Sequence, residues 1–375
     1  MVFGLNGLAF AAWASRTPAI KAVLDLDASG LGLLLMSLSV GAVAALPLSG
    51  PLVQRVGAAR GVLGGALLQG TGFLVVASAL TIGSTWVTAL GLFVAGLGDS
   101  VWDVSMNVQG AAIERRLDRS IMARFHAAWS LGTMIGAALG AAAAGAGVGV
   151  ATQILVIAVP VLVAGPLAST RFPPRAAAMP SPRLPRSRTM ALRAWRTPRT
   201  LAIGLMVLAF AFSEGVANSW TALAITDGLG GTEATGAIGF ACFVAAMTAS
   251  RVLGVELVDR FGRVVLLRGS AVVAGGGVVL VMAGPSIAWV LVGALAWGAG
   301  TALGFPTGMS AAADNVDQAA LHVSVVSSIA YVAFLAGPPL VGYLADAMGI
   351  RQSLFVVLGA LLIGAITAGS AQPPP

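Results

Sequence analysis

Leu52-Val53-Gln54-Arg55-Val56-Gly57 returns 205 positions later as Leu257-Val258-Asp259-Arg260-Phe261-Gly262, and this repeat decides the fold. Each copy stands between two long apolar runs. Trp13 and Trp220, which are 207 positions apart, repeat in the same order. Because these segments recur near one offset, the sequence predicts two homologous halves that fold into equivalent bundles. A glycine pattern repeats at an offset of 202, as Gly91, Gly96 and Gly98, then Gly293, Gly298 and Gly300.

Composition places the chain in a membrane. Of its 375 residues, 58% are hydrophobic and 9% are charged, and the mean hydropathy is +0.93, whereas soluble domains carry about 25% charged residues. A soluble fold could not bury so much apolar surface, so lipid is the predicted solvent. One cysteine and two histidines predict neither a disulfide framework nor a metal cluster, and no metal or cofactor is expected.

Twelve apolar segments are long enough to cross a bilayer. They predict an all-α membrane protein with 12 transmembrane helices in two pseudo-symmetric six-helix bundles. The bundles are expected at 1–170 and 199–375, joined by an arginine- and proline-rich cytoplasmic linker at 171–198. The predicted spans are 1–23, 29–53, 61–82, 86–112, 121–145, 148–170, 199–226, 234–257, 264–284, 286–312, 320–345 and 350–371.

Basic residues set the orientation, because cytoplasmic loops are enriched in Lys and Arg. With the amino terminus inside, every basic residue except Arg16, Lys21 and Arg351 falls inside or near the inner face. This predicts a multi-pass protein of the bacterial inner membrane with both termini cytoplasmic, and it explains the net charge of +7 without nucleic-acid binding. The first span begins almost at Met1 without a basic leader or cleavage site, so no removable signal peptide is expected and a few upstream residues would complete the span.

The loop at Val255–Arg263 resembles the signature Gly-x-Leu-x-Asp-Arg-x-Gly-Arg of major facilitator superfamily transporters, with Val255 in place of the leading glycine. The first-half copy begins at Gly50 but has Gln54 for the aspartate and Ala58 for the final arginine. Three further segments resemble the bacterial branch that contains the rhizopine-transporter-like MosC protein and the YbjJ inner-membrane protein. These segments are Trp13–Ile20, Asp99–Asn107 and Phe125–Ser130.

The resemblance implies alternating access by two rocking bundles, with the loop motif stabilising one closed state. A carboxylate that faces an arginine at a helix end forms charge-assisted hydrogen bonds and complements the helix dipole. Gln54 keeps a hydrogen bond but not the charge, so the first-half contact is predicted to be weaker. The alternative is that these arginines only set the orientation of the protein in the membrane and form no gating contact. The predicted gating residues are Gly50, Gln54, Arg55, Gly57, Asp259, Arg260, Gly262 and Arg263.

Ionisable residues inside a span are costly and mark functional sites. Asp99, Asp103 and Asn107 are spaced four apart, which puts them on one face of the fourth span. Glu214 and Asn218 form a similar stripe on the seventh span. Lipid cannot satisfy their hydrogen bonds, so both stripes are predicted to face the interior.

The shared scaffold does not explain these acids, because the other half lacks them. The offsets match Asp99 with Thr301, Asp103 with Phe305 and Glu214 with Gly7. We therefore interpret both stripes as substrate- or proton-binding residues. The alternative is that an acid pairs with a buried base such as Arg16 or His126.

Further candidates carry aromatic or basic side chains. Trp13, Trp129 and Trp220 are placed to stack on an apolar sugar face, although packing and interfacial anchoring compete with that role. His126 would relay protons or be a structural histidine. Arg16, before Pro18, is interpreted as a gate, an anion contact or a snorkelling anchor.

These features predict a secondary active transporter that moves a small polar solute of the sugar, cyclitol or amino-cyclitol type by proton symport. The alternative is a proton-driven exporter of a metabolite or drug, and a channel or transport-dead sensor is a further alternative. The sequence lacks His-Glu-x-x-His, Gly-x-Ser-x-Gly and Walker motifs, so no enzyme is expected. The expected partners are a small-molecule substrate, protons and membrane lipids, and the protein is expected to be a monomer.

Overall fold

Helices make up nearly all of the computed structural model, which describes residues 1–117, 122–170, 172, 194–314 and 318–373, apart from a few side chains inside helices. Within these ranges, 11 helical segments are long and apolar enough to cross a membrane, and Val2–Ala14 is a shorter apolar helix. The predicted all-α membrane fold is confirmed.

The first half contains seven helices before the 171–198 segment. They are α1 (Val2–Ala14), α2 (Thr17–Val23), α3 (Ala28–Val56), α4 (Ala58–Thr81), α5 (Thr85–Leu117), α6 (Met122–Gly145) and α7 (Val150–Ser169).

The second half follows that segment. Its helices are α8 (Pro198–Leu229), α9 (Glu233–Phe261), α10 (Arg263–Ala283), α11 (Ile287–Thr301), α12 (Gly304–Ala312), α13 (Ala319–Met348), α14 (Ile350–Ser353) and α15 (Phe355–Thr367), followed by a 3-10 turn at Ala368–Ala371.

Three predicted spans are interrupted rather than continuous, and proline explains two of the breaks. The first span divides at Ser15–Arg16, and the tenth divides at Ala302–Leu303. Pro18 and Pro306 each lie in the first turn of the following helix and have no N–H to donate to the preceding turn. The twelfth span divides at Leu354 between α14 and α15.

The repeated hexapeptides adopt the same conformation. Gly57 joins α3 to α4 with φ 89° and ψ 157°, and Gly262 joins α9 to α10 with φ 73° and ψ 158°. Residues with a side chain rarely adopt a positive φ, which is why each copy of the hexapeptide ends in glycine. Single-residue connections therefore produce the same tight turn in each half.

Helix packing repeats as well. α1 packs on α6 as α8 packs on α13, and α4 packs on α5 as α10 packs on α11. Small residues allow the close approach: Gly132 of α6 lies against the backbone of Gly4, and Gly298 of α11 lies against the backbone of Phe243.

The two halves meet where α3 runs along α13 and α6 along α9. The bundle has two ends, which we name by their residues. The arginine-rich face carries Arg55, Arg60, Arg199, Arg260 and Arg263. The opposite face carries Arg16, Lys21, Asp27, Asp227 and Glu233.

Candidate functional site

Asp99 of α5 is held by two neutral amides from neighbouring helices. Asn6 Nδ2 donates to Asp99 Oδ1 at 2.8 Å, and Gln69 Nε2 donates to the same oxygen at 3.0 Å. Trp129 Nε1 in turn donates to Asn6 Oδ1 at 2.8 Å. Among the described residues, Asp99 has no cationic partner and its Oδ2 accepts no hydrogen bond. The first half therefore holds a half-buried carboxylate without a counter-charge.

Asp103 lies one turn further along α5 and also lacks a cationic partner in the described part of the chain. Asn107 Nδ2 donates to Asp103 Oδ1 at 3.1 Å and to its backbone oxygen at 2.9 Å. Tyr331, on α13 of the second half, is close enough to interact electrostatically with Asp103 and Asp99. That this stripe faces the space between the halves stays a prediction.

A cavity of about 110 Å³ lies between the halves beside this network. Phe10 and Trp13 of α1 line it together with Asn218 of α8. Asp99 and Asp103 do not themselves line this cavity. Phe10 connects its wall to the Asp99 network, because its ring stacks on Trp129 with centroids 6.4 Å apart. Asn218 has no hydrogen bond to another described residue, which leaves its amide available to a solute.

Glu214, in contrast with Asp99, is neutralised. Arg251 Nη2 donates to both of its carboxylate oxygens at 3.0 Å, and Arg251 Nε donates to Ala302 O, at the break before α12, at 3.3 Å. The Glu214 and Arg251 side chains are 14% and 26% exposed. The ion-pair alternative therefore describes Glu214, but the expectation of Arg16 or His126 as its partner is wrong.

The second half contains a neutral counterpart of the Asp99 site. The repeat matches Asn6 with Ser213 and Asp99 with Thr301. The hydroxyl oxygens of Ser213 and Thr301 lie 3.2 Å apart, within hydrogen-bonding distance. Trp297 Nε1 donates to Ser213 Oγ at 2.8 Å. Both halves thus build the same helix-to-helix contact, and the charge belongs to the first-half copy.

The opposite face is closed by contacts between the halves. Arg16 Nη2 donates to Glu233 Oε2 at 3.0 Å, and Lys21 Nζ donates to Asp227 Oδ2 at 2.5 Å. Asp346 accepts hydrogen bonds of 2.9 and 3.0 Å from the backbone N–H groups of Ala28 and Ser29, at the amino terminus of α3. All hydrogen bonds that join described residues of the two halves lie at this face.

Arg16 has the surroundings of a gate. Its side chain is 3% exposed, and besides Glu233 it binds Gln153 and the backbone oxygen of Val148. This burial excludes the snorkelling interpretation, because a snorkelling arginine keeps its charge in water. Arg16 also does not line the central cavity.

The predicted gating residues whose side chains the structure describes form no hydrogen bond or ion pair with a described residue of the other half. Arg263 Nη1 donates to both oxygens of Asp314 at 2.8 and 2.9 Å, and Arg199 Nη2 donates to Asp314 Oδ2 at 2.7 Å, all within the second half. Arg55 is exposed, as is Arg260, whose guanidinium lies 5.4 Å from the centroid of the Phe261 ring. The side chains of Gln54 and Asp259 are outside the described residues. Gly50, like Gly57 and Gly262, lies at the arginine-rich face.

The Asp314 cluster predicts a pH-dependent stability. Partial burial raises the pKa of Asp314, but the hydrogen bonds and charges of Arg263 and Arg199 outweigh it and hold this pKa below the ordinary value of 3.8. A lowered pKa contributes stability that is present above the unfolded value and is lost as the pH falls through the folded value. We expect Asp314→Asn to lower the melting temperature of the purified protein at pH 7, and its difference from wild type to shrink below pH 3.8. An equal difference at both pH values would contradict this role.

Several predicted contacts lie elsewhere. Trp220 is fully buried in the second half and does not line the cavity, so solute stacking on Trp220 is not supported, whereas Trp13 does line it. His126 is exposed, lies edge-on to the Phe3 ring at 5.5 Å, and interacts electrostatically with Arg251 of the second half. Its role as a proton relay stays a prediction.

Sequence reasoning missed Gln69, Arg251 and Asp346. Gln69 and Arg251 lie inside predicted spans, and a polar side chain there is the signal that was available. Arg251 was taken only as an orientation marker. Asp346 follows its predicted span directly, so nothing in the pattern distinguishes it from a loop residue.

The family model of the Major Facilitator Superfamily matches residues 2–224 and again residues 203–375. The chain is 32% identical to the uncharacterized transporter y4wD of Sinorhizobium fredii (strain NBRC 101917 / NGR234), over 95% of this chain and 92% of that protein. It is 28% identical to the membrane protein MosC of Rhizobium meliloti, over 98% of this chain and 86% of that protein. The predicted resemblance to the MosC branch is confirmed.

Solved structures share the fold. A mutant of the nucleoside transporter NupG superposes with a TM-score of 0.81 at 12% identity, covering 99% of this chain and 98% of that chain. A variant of the E. coli fucose:proton symporter FucP has a TM-score of 0.63 at 16% identity, with the same coverage of both chains. Two matches of one family model, relatives along the whole chain and a common fold agree: the chain belongs to the major facilitator superfamily and is a multi-pass membrane protein and secondary transporter, not an enzyme.

Proposed function

We propose that this chain is a proton-coupled symporter that carries a small polar solute of the sugar, cyclitol or amino-cyclitol type by alternating access. The observation that carries the proposal is the state of Asp99, a carboxylate held by neutral donors beside the cavity between the halves. Membrane-embedded acids of this kind serve as proton sites because protonation removes a charge that lipid and protein do not compensate.

The two central acids differ in fitness for this role. Protonation of Glu214 would break its ion pair and leave the Arg251 charge uncompensated in the protein interior, which is costly. Protonation of Asp99 breaks no ion pair among the described residues. We therefore assign the proton to Asp99, with Asp103 beside it, and a structural role to Glu214.

The cavity wall supports a polyhydroxy solute. Phe10 and Trp13 offer aromatic faces that suit the C–H face of a sugar ring or cyclitol, and the free amide of Asn218 can both donate and accept hydrogen bonds. The combination of apolar walls and few polar groups is typical of small-molecule sites.

The contacts between the halves support alternating access. The hydrogen bonds and ion pairs that join described residues of the two halves are confined to the opposite face, so this conformation is closed there, and separating the halves at this face requires breaking the Arg16–Glu233 and Lys21–Asp227 pairs. We further propose that the arginine-rich face is cytoplasmic in a bacterial inner membrane, that 171–198 is a cytoplasmic linker between two six-helix domains, and that the transporter is a monomer.

Breaking the Arg16–Glu233 pair is expected to open the opposite face. In a Cys242→Ser background, which removes the single cysteine, a Ser219→Cys probe at the cavity wall should react with a membrane-impermeant maleimide severalfold faster when Arg16→Ala is added. The reagent is applied from the side of the opposite face. Arg351→Ala is the matched control, because the described residues that accept hydrogen bonds from Arg351, namely Val281 and Gly284, lie within its own half. Equal labelling in Arg16→Ala and the control would contradict the gate.

Counterflow in proteoliposomes tests the proposed function. Myo-inositol, glucosamine and L-fucose are the probes, and entrapped pyranine reports internal pH. We expect at least one probe to exchange by counterflow in both wild type and Asp99→Asn. Net downhill entry of that probe should acidify the vesicle lumen in wild type but not in Asp99→Asn. Alkalinisation of the lumen on entry would indicate proton antiport and support the exporter. If none of the three probes shows counterflow, transport of this solute class is contradicted.

A further inference from the structure

A second cavity lies outside the central one, between α9 and α10 of the second half, with a volume of about 330 Å³. Leu257 and Phe261 of α9 form one wall, Val265 and Val273 of α10 form the other, and Gly300 of α11 lies at the floor. Phe261, Val265 and Val273 are 49%, 64% and 47% exposed. The cavity is therefore a groove that opens sideways, on the lipid-facing surface of the bundle.

The dimensions of the groove match one leaflet of a bilayer. It runs along α9 from Phe261, at the arginine-rich face, to Ser250, a helical length of about 16 Å at 1.5 Å per residue. Half of a hydrocarbon core of about 30 Å is nearly the same length. An acyl chain that enters at the arginine-rich face would thus be accommodated along its length.

The groove ends beside an unpaired positive charge. Arg260 is exposed, its guanidinium lies over the Phe261 ring, and it forms no ion pair with a described residue. The neighbouring Arg263 is occupied by Asp314, and Arg268 donates to the backbone oxygen of Ala365. Arg260 is therefore available at headgroup depth, where basic side chains between helices attract anionic lipid headgroups.

The matching surface of the first half has a different chemistry. At the offset of 205, Arg60 stands where the groove has Val265, and Val56 stands where it has Phe261. Gly64 matches Gly269, and an added Cβ would meet nothing within 4 Å at either glycine. The two halves thus provide an internal comparison between an apolar groove wall and its charged equivalent.

We propose that this groove binds an anionic phospholipid, with one acyl chain between α9 and α10 and the phosphate held by Arg260. The length of the groove fits an acyl chain, and the charge of Arg260 favours an anionic headgroup over a zwitterionic one. The site is separate from the central cavity, so the proposal does not depend on the transported solute.

Native mass spectrometry of the purified protein tests the proposal, with dioleoyl-phosphatidylglycerol and dioleoyl-phosphatidylcholine as probes. We expect wild type to retain phosphatidylglycerol in preference. Gly269→Leu, whose added Cβ would meet nothing within 4 Å and whose side chain would occupy the groove, should weaken phosphatidylglycerol binding at least tenfold, whereas Gly64→Leu should not. Arg260→Gln should remove the preference between the two lipids, whereas Arg55→Gln at the matching position should keep it.

Two results would overturn the lipid site. One is unchanged phosphatidylglycerol binding in Gly269→Leu, and the other is an equal loss in Gly269→Leu and Gly64→Leu, which would indicate general lipid adhesion. If Gly269→Leu does not fold by circular dichroism and size-exclusion chromatography, Val265→Arg replaces it. That substitution copies the charge that the first half carries at Arg60, and phosphatidylglycerol binding unchanged by a charge in the groove wall would equally overturn the proposal.

Discussion

Asp99→Asn is expected to abolish proton-driven accumulation of solute while leaving solute exchange intact. With one proton per solute, a gradient of one pH unit supports accumulation of about tenfold in wild type, since 1.4 kcal/mol is a tenfold ratio. The ratio in Asp99→Asn should be about one. Asparagine keeps an oxygen that accepts from Asn6 and Gln69, so the network is preserved while the titrating group is lost. Uptake of whichever probe shows counterflow, with and without the pH gradient, measures both properties.

Thr301→Val is the matched control for this prediction. Thr301 occupies the position in the second half that the repeat matches with Asp99, and its hydroxyl contacts Ser213 as Asp99 contacts Asn6. The control should accumulate solute like wild type. Accumulation by Asp99→Asn, or loss of accumulation in both variants, would remove Asp99 from the coupling step.

Arg251→Leu is expected to destabilise the protein by about 3 kcal/mol, near the lower end of the range for breaking a buried ion pair because Arg251 is partly exposed. The substitution leaves Glu214 without its counter-charge and Ala302 O without the donor that the broken helix requires. A fall of several degrees in the melting temperature of the detergent-solubilised protein is the expected measurement.

A double variant separates charge from packing. Glu214→Gln with Arg251→Gln removes both charges and retains hydrogen-bonding groups, so it should recover most of the stability lost in Arg251→Leu. If the single variant is as stable as wild type, or if the double variant is no better than the single one, the ion pair is not what stabilises this contact.

Much of the fold follows from local signals in the chain. Apolar runs of about 20 residues fix the helices, and the two hexapeptides fix the equivalence of the halves, because a glycine with positive φ is needed at each tight turn. The break at Ala302 was not predicted, although Pro306 lies four residues later and cannot donate to that carbonyl. The predicted spans do not show that Arg251 donates a hydrogen bond to the Ala302 carbonyl instead.

The candidate site was less predictable because its chemistry depends on partners from distant helices. Spacing placed Asp99 and Asp103 on one face of their helix, but it did not identify Gln69 of α4 as a partner of Asp99. The same reasoning left open that an acid pairs with a buried base, but it did not identify Arg251, from the next helix, as the residue that neutralises Glu214. The contact of Asp346 was harder still to predict, because its partners are backbone N–H groups of α3, and Ala28 lies 318 positions away along the chain.

Accessibility of position 99 from the two sides of the membrane tests the central claim most directly. In the Cys242→Ser background, Asp99→Cys should react with a membrane-impermeant thiol reagent applied at the arginine-rich face, because the opposite face is closed by the Arg16 and Lys21 pairs. Adding Arg16→Ala should make the same position reactive from the opposite face. A position 99 that stays unreactive from both sides, or reacts equally from both regardless of Arg16, would contradict a proton-binding carboxylate that becomes accessible from each side in turn.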